Sequence, residues 1–238
     1  MTWGVWGKNY STDQMSDLII EALSMGISTF DHADIYGGYT TEAAFGAAFK
    51  QSQIERSSVQ FISKCGIQLP STERPLSVKH YDYTKEYILK SVELSLQNLK
   101  TDYLDVLLLH RPSPLMDPHE IALALEQLKV QGKVKSFGVS NFTPAQKDLL
   151  RSENLTEWNQ IECSLTQPEA MFNGTTNYMM HHQIGAMAWS PLGNYFKNDH
   201  PQKIRLKPLM NKMCEIYSST EDQVLLAWLL KHPAEIYP

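Results

Sequence analysis

The run Tyr103-Leu104-Asp105-Val106-Leu107-Leu108-Leu109 most limits the folds open to this chain. It is short, and it is apolar at both odd and even positions. A strand of that kind must be covered on both faces, which is the habit of parallel sheets flanked by helices. Amphipathic stretches on either side supply the cover. Thr84 caps a predicted helix whose stripe is Tyr87, Ile88, Val92, Leu96 and Leu99, and Asp117-Pro118 opens another that Gly132 ends.

The same alternation runs along the whole chain. Ser11-Thr12-Asp13 starts a helix with Met15, Leu18, Ile19, Ala22 and Leu23 on one face, stopping at Gly26. Ser28 to Ala33 reads as a strand, Glu42 to Lys50 as a helix and Val59 to Ser63 as a strand ending at Lys64-Cys65-Gly66. Phe137-Gly138-Val139 is the next strand, Thr143-Pro144 opens a helix, and Ile161 to Leu165 and Ala186 to Trp189 are further strands. Thr220-Glu221-Asp222-Gln223 is a capping box ahead of the apolar helix Val224 to Leu230. Repeated strand–helix units imply βαβ crossovers and a parallel sheet.

Two architectures satisfy that pattern. A doubly wound nucleotide binder should carry a glycine-rich fingerprint at its first strand-to-helix turn, and none is present. Trp3-Gly4-Val5-Trp6-Gly7 has the wrong spacing. Counting a partial first strand at Thr2 to Trp6, the sequence holds seven strands, and an eighth would begin near Ile236-Tyr237-Pro238, where the sequence stops. A (β/α)8 barrel needs eight strands and about 250 residues. The expectation is therefore an α/β TIM barrel over residues 1–238, one domain, without an N-terminal hairpin and clipped before its eighth strand and C-terminal tail.

Composition narrows the class. The chain has 238 residues, 42% of them hydrophobic, enough for one well-filled core. A net charge of -5, with the basic residues dispersed among acids, argues against a nucleic-acid partner. No apolar run approaches the roughly 18 residues of a membrane span. Cys65, Cys163 and Cys214 are too few and too scattered for a disulfide framework. With no signal peptide in the sequence, they suggest reduced thiols in the cytoplasm.

In a barrel, reactive side chains gather at the C-terminal ends of strands. Applied here, that rule selects Asp31 with Tyr36 just beyond it, Lys64, His110 with Arg111-Pro112, Ser140-Asn141, and Trp189-Ser190-Pro191. Four of these make a proton relay. Tyrosine and lysine ordinarily titrate near pH 10. An ammonium beside a phenol favours the phenolate, and a carboxylate keeps the ammonium charged. Asp31 would hold Lys64, Lys64 would tune Tyr36, and Tyr36 would act as a general acid. His110 would donate a hydrogen bond to the same oxygen. No side chain can supply a hydride, so the relay calls for a cofactor. His32 and Asp34 are ligand types, but no further cluster completes a metal site, and none is expected. Trp3, Trp6 and Tyr39 are candidates for lining a substrate cleft.

At these residues the sequence resembles the aldo-keto reductase family, in particular a bacterial subgroup described as predicted oxidoreductases. The resemblance rests on Asp31-His32-Ala33-Asp34-Ile35-Tyr36-Gly37-Gly38-Tyr39, Lys64, His110-Arg111-Pro112 and Phe137-Gly138-Val139-Ser140-Asn141-Phe142-Thr143-Pro144. It implies a catalytic set of Tyr36, Asp31, Lys64 and His110. It implies that Ser140, Asn141 and Gln160 hold the nicotinamide carboxamide, that Trp189 stacks on the ring, and that Ser190, Pro191 and Leu192 run along the pyrophosphate. It implies NADPH (NADP+) as cofactor with NADH not excluded, since the segment that reads the 2′-phosphate is absent. The substrate would be a small-molecule carbonyl and the protein a monomer or weak homo-oligomer. The loop after Trp189 departs from the family by being poor in glycine: Gly193 is followed by Asn194-Tyr195-Phe196. Two other expectations compete, a cofactor-binding regulatory subunit with little turnover and a truncated, inactive reductase.

Overall fold

A computed structural model describes residues 2–151, 156–197 and 201–238. The chain forms two compact units, one of residues 1–139 with 149–156 and one of residues 140–148 with 157–238.

The first unit contains α1 (Thr12–Ser24), β1 (Thr29–Asp31), α2 (Thr41–Ser52), β2 (Gln60–Cys65), the short antiparallel pair β3 (Ile67–Gln68) and β4 (His80–Tyr81), α3 (Lys85–Leu99), β5 (Leu104–Leu109), α4 (Pro118–Val130) and most of β6 (Val134–Ser140). Strands β1, β2, β5 and β6 pair in that order, all parallel. The predicted two-sided burial of β5 is observed: Leu104, Leu107, Leu108 and Leu109 are each at most 2% exposed. Asp105, the polar exception, turns out to be an anchor. Its carboxylate accepts from the Phe61 N–H and pairs with Arg56 at 2.7 Å.

Helix α1 starts as expected, with Ser11 and Gln14 forming a capping box. Helix α3 buries Ile88, Val92, Leu96 and Leu99, and also Ser91 and Ser95. Gly46 lets α2 come close to the end of α3; a Cβ there would lie 2.0 Å from the Asn98 carbonyl oxygen. An aromatic group of Phe30, Phe45, Phe49 and Phe61 fills the space behind β1 and β2, with Trp3 against Phe30 and Phe45.

The predicted strand at Thr2 to Trp6 is not a strand. The segment folds back on itself through Lys8 N–H to Thr2 O (2.8 Å) and Gly7 N–H to Gly4 O (2.9 Å). Glycine at position 7 permits this, because a Cβ would meet the Thr2 oxygen at 1.9 Å. Strand limits also shift: β1 is shorter than predicted and β2 runs through Lys64 to Cys65.

The second unit holds the residues from Ser140 through the start of α5 (Pro144–Arg151), then β7 (Trp158–Glu162), α6 (Glu169–Phe172), α7 (Thr175–His181), β8 (Gly185–Trp189), α8 (Pro201–Tyr217) and α9 (Glu221–Leu230). β7 begins three residues before the predicted Ile161, and Ser164 and Leu165 lie in a turn. β7 and β8 are parallel, with Gln160 opposite Met187 and Glu162 opposite Trp189. Their core is Ile161, Cys163, Met179, Ala186, Ala188, Leu229 and Ile236. Tyr237 makes a parallel bridge to Met187, its N–H bonding Ala186 O and its carbonyl accepting from Ala188 N–H. This is an isolated bridge, and among the described residues no strand is formed near Ile236. Among the described residues, no helix is long and apolar enough to cross a membrane.

Candidate active site

In the first unit, three strand ends and one tight turn bring the four predicted side chains together. Lys64, in β2, is 1% exposed, and its Nζ lies 2.7 Å from both carboxylate oxygens of Asp31, at the end of β1. The same ammonium donates to the His32 carbonyl at 2.8 Å and reaches the Tyr36 hydroxyl at 3.4 Å. Burial alone would pull the ammonium's pKa down. The adjacent Asp31 carboxylate and Tyr36 hydroxyl outweigh it, and the net shift is upward, so Lys64 stays a cation.

Tyr36 is delivered by a turn in which its N–H bonds Ala33 O and its carbonyl accepts from Thr41 N–H at the start of α2. Gly37 and Gly38 follow at φ +64° and +65°. Gly37 has a second reason to lack a side chain: a Cβ would sit 2.5 Å from Thr41 Oγ1. The phenol is therefore held between a close-packed helix start and the ammonium.

His110 follows β5, with its N–H on Cys65 O at 2.9 Å. Its ring meets that of Tyr36 edge-on, with centroids 6.0 Å apart. Burial, reinforced by the charges of Lys64, Arg111 and Lys79, pushes its pKa down to about 2, so the imidazole is neutral over the physiological range. Nδ1 is buried and has no partner among the described residues.

A second buried group, not foreseen from sequence, stands behind the turn that carries Tyr36. Asp34 N–H bonds Lys64 O, and its carboxyl accepts from Tyr87 (3.0 Å) and Ser91 (3.1 Å) of α3. Burial and the nearby Glu42 push the Asp34 pKa up to about 7. Glu42 is itself buried and raised by desolvation, accepting from Ser63 at 2.6 Å. The available signal was Ser91 and Ser95 within the apolar stripe of α3, since a hydroxyl in a core position implies a buried acceptor. His32 packs its ring against Phe45 (4.3 Å) and Phe61 (5.9 Å). Among the described residues no group of three or more His, Cys, Asp or Glu side chains is placed to hold a metal. Trp3 packs on Phe30 and Phe45, Trp6 is exposed, and Tyr39 lies under Arg74 with its hydroxyl accepting from Leu69 N–H.

In the second unit, the predicted cofactor-binding residues form a connected group. Ser140 is buried, and Asn141 follows at φ +61° with its N–H on Gln160 O at 2.8 Å. Asn141 Nδ2 donates to Ser140 Oγ (2.7 Å), and Asn141 Oδ1 accepts from the Trp189 indole N–H (2.8 Å). Ser190 to Gly193 form a tight turn, closed by Gly193 N–H to Ser190 O at 2.7 Å, with Pro191 and Leu192 at its tip. Gly193 is at φ +56°, and a Cβ there would meet Thr166 Oγ1 at 2.1 Å. Beyond it, Asn194 N–H bonds Thr166 Oγ1 and the Tyr195 hydroxyl bonds Glu221. In place of the missing glycines, this loop is tied down by side chains.

A buried ammonium that meets both a strand-end carboxylate and a phenol, carried on an α/β fold, fits an oxidoreductase of the aldo-keto reductase class, and comparison with known proteins places the chain there. The model of the aldo/keto reductase family matches residues 1–238, and the chain belongs to that family. It is 46% identical over 243 residues to the uncharacterized oxidoreductase YcsN of Bacillus subtilis, covering 99% of this chain and 81% of that protein. It is 42% identical to the 6-dehydroglucose reductase of Agrobacterium fabrum, covering 92% of this chain and 75% of that protein. Among solved structures, the thermostable aldo-keto reductase Tm1743, in complex with the inhibitor epalrestat, superposes with a TM-score of 0.81 at 25% identity. That match covers 99% of this chain and 81% of the other. The protein is an NAD(P)H-dependent oxidoreductase with the α/β fold of these enzymes.

Proposed function

We propose that the protein reduces aldehydes or ketones of small molecules to alcohols with NADPH, and that Tyr36, Lys64, Asp31 and His110 carry the proton transfer. The observation that carries this reading is the Lys64 ammonium in contact with both the Asp31 carboxylate and the Tyr36 hydroxyl. Asp31 keeps the buried ammonium charged. Lys64 stabilises negative charge on the Tyr36 oxygen, so the phenol can release its proton to the carbonyl oxygen as charge develops there. Neutral His110 has one N–H to give, and with Nδ1 enclosed and unpartnered we assign it to Nε2, directed at the same carbonyl oxygen.

Bound nicotinamide supplies the hydride. The residues present suit it: Asn141 and Gln160 offer amide groups complementary to a carboxamide, Ser140 supports Asn141, and Trp189 offers an aromatic face. The Ser190-Pro191-Leu192 turn is assigned to the pyrophosphate. NADPH is preferred over NADH on the family likeness. The name 6-dehydroglucose reductase, borne by two relatives at 42% and 33% identity, makes keto-sugars a substrate class to test first.

Residues 1–238 are read as one domain of TIM (β/α)8 type, on a family match that runs their full length. A monomer or weak homo-oligomer is expected. The free buried thiols of Cys65 and Cys163 suit a reducing compartment, and we assign the cytoplasm.

The test is oxidation of NADPH and of NADH, followed at the reduced-nicotinamide band, with oxidised sugars, aromatic aldehydes and quinones. Turnover with at least one class, and loss of it in Tyr36→Phe while NADPH still binds, is expected. Turnover unchanged in Tyr36→Phe would refute the assigned acid.

A further inference from the structure

We infer that Trp189 acts on the cofactor through Asn141: its indole N–H fixes the Asn141 amide in the one orientation that turns an N–H toward the nicotinamide carboxamide. This rests on the proposed nicotinamide site and adds a positioning role to a residue expected there only as a stacking surface.

The orientation is decided by the hydrogen bonds of a single amide. A primary amide has one oxygen that only accepts and one nitrogen that only donates. In the structure Oδ1 of Asn141 takes the Trp189 N–H at 2.8 Å, and Nδ2 gives to Ser140 Oγ at 2.7 Å. Flipping the amide would exchange the two atoms. Ser140 tolerates either arrangement, because a hydroxyl can both donate and accept. Trp189 does not, because an indole N–H can only donate, and the flipped amide would set donor against donor. Of the two partners, only the tryptophan discriminates.

The backbone that carries the Asn141 amide is itself held in place. It is held at φ +61°, a conformation asparagine tolerates better than other side-chain-bearing residues, and its N–H is committed to Gln160 O at 2.8 Å. Trp189 is fixed in turn by the parallel β7–β8 pairing, which sets it opposite Glu162. With Oδ1 on the indole and one Nδ2 hydrogen on Ser140, the second Nδ2 hydrogen is the donor left to meet the carboxamide oxygen. A phenylalanine at 189 would keep an aromatic face and lose this control.

The experiment compares wild type, Trp189→Phe, Asn141→Ala and the double variant. Each is titrated with NADPH and with the same dinucleotide lacking the nicotinamide ring, 2′-phospho-ADP-ribose. Losing one oriented hydrogen bond should weaken NADPH binding about 3- to 10-fold in Trp189→Phe. Binding of 2′-phospho-ADP-ribose should not change. In the Asn141→Ala background, Trp189→Phe should cost nothing further. In the cofactor-free protein, the Trp189 indole N–H should be slow to exchange by NMR and become fast in Asn141→Ala. If Asn141→Ala does not fold, Asn141→Asp replaces it: its carboxylate should keep the indole N–H slow to exchange while NADPH affinity drops.

Equal weakening of both ligands, no weakening of NADPH, or additive losses in the double variant would each overturn the inference. So would an indole N–H that exchanges freely in wild type. If wild type binds 2′-phospho-ADP-ribose and NADPH equally well, or binds neither, the nicotinamide site falls and this inference with it. If wild type prefers NADPH and Trp189→Phe matches it, only the inference falls.

Discussion

Asp34→Asn should make the protein less sensitive to pH. The Asp34 carboxyl is buried 3.0 Å from the Tyr87 hydroxyl and faces Glu42 across the interior; burial raises its pKa from 3.8 to about 7. The folded state thus holds this proton where the unfolded chain has already released it. The stabilising contribution is complete below the unfolded pKa and is lost as pH rises through about 7. Each pH unit between the two values is worth about 1.4 kcal/mol. At about pH 5.5 the group lies about 1.5 units below its folded pKa, so it favours folding by about 2 kcal/mol relative to about pH 8.5. Asparagine has the same shape, carries no charge, and its amide oxygen can accept from Tyr87 and Ser91 where one carboxyl oxygen now does. Urea unfolding at the two pH values should show a stability difference about 2 kcal/mol smaller in Asp34→Asn than in wild type. Glu42, also raised by burial, leaves a remaining slope of the same sign in both proteins. Equal pH dependence in the two would refute the claim that Asp34 is protonated in the fold.

Three further outcomes follow from the geometry. Lys64→Met removes the cation that Asp31 and the Tyr36 hydroxyl share; the Asp31 carboxylate left behind is about one third exposed and can be hydrated, so the loss should be about 1–3 kcal/mol, and turnover should be lost even at temperatures where circular dichroism shows a folded protein. His110 stays neutral down to about pH 2, so the pH–rate profile should show no imidazole inflection between about pH 5 and 8; His110→Gln, which keeps an N–H donor, should retain more activity than His110→Phe. Gly193→Ala puts a Cβ 2.1 Å from Thr166 Oγ1 at a backbone angle that alanine disfavours; stability should fall by about 1–3 kcal/mol in thermal melts and 2′-phospho-ADP-ribose affinity should fall with it.

The strand ends that bear Lys64 and His110 were readable because their strands are buried on both faces and then break into polar residues, whereas β1 buries only Phe30 and Asp31 stood out by its spacing to Tyr36. Tyr103 to Leu109 followed by His110 shows both signals within eight residues. The polar residue just beyond a buried strand is thereby located to within a position or two, and so Lys64 and His110 could be assigned to one rim. Elsewhere the signal misled or was missing. Thr2 to Trp6 has the aromatic and β-branched content of a strand, yet Gly4 and Gly7 let it curl back before any neighbour can pair with it. Helix α8 carries Pro208 and exposes Ile204, Leu209 and Ile216, so no apolar stripe marks it. The Trp189–Asn141 bond joins residues 48 apart in sequence, and Asp34 meets Tyr87 across 53. Neither spacing has a pattern that one-dimensional periodicity could detect.

The most direct test of the account follows the transferred atoms in a single turnover. NADPH deuterated at the transferred C4 position is mixed with excess protein and an oxidised sugar or aromatic aldehyde, and the alcohol is analysed by mass spectrometry. The account predicts one deuterium on the carbinol carbon in wild type, and no alcohol from Tyr36→Phe although that variant still binds the cofactor. An alcohol without deuterium, or the same yield and rate from Tyr36→Phe, would contradict it.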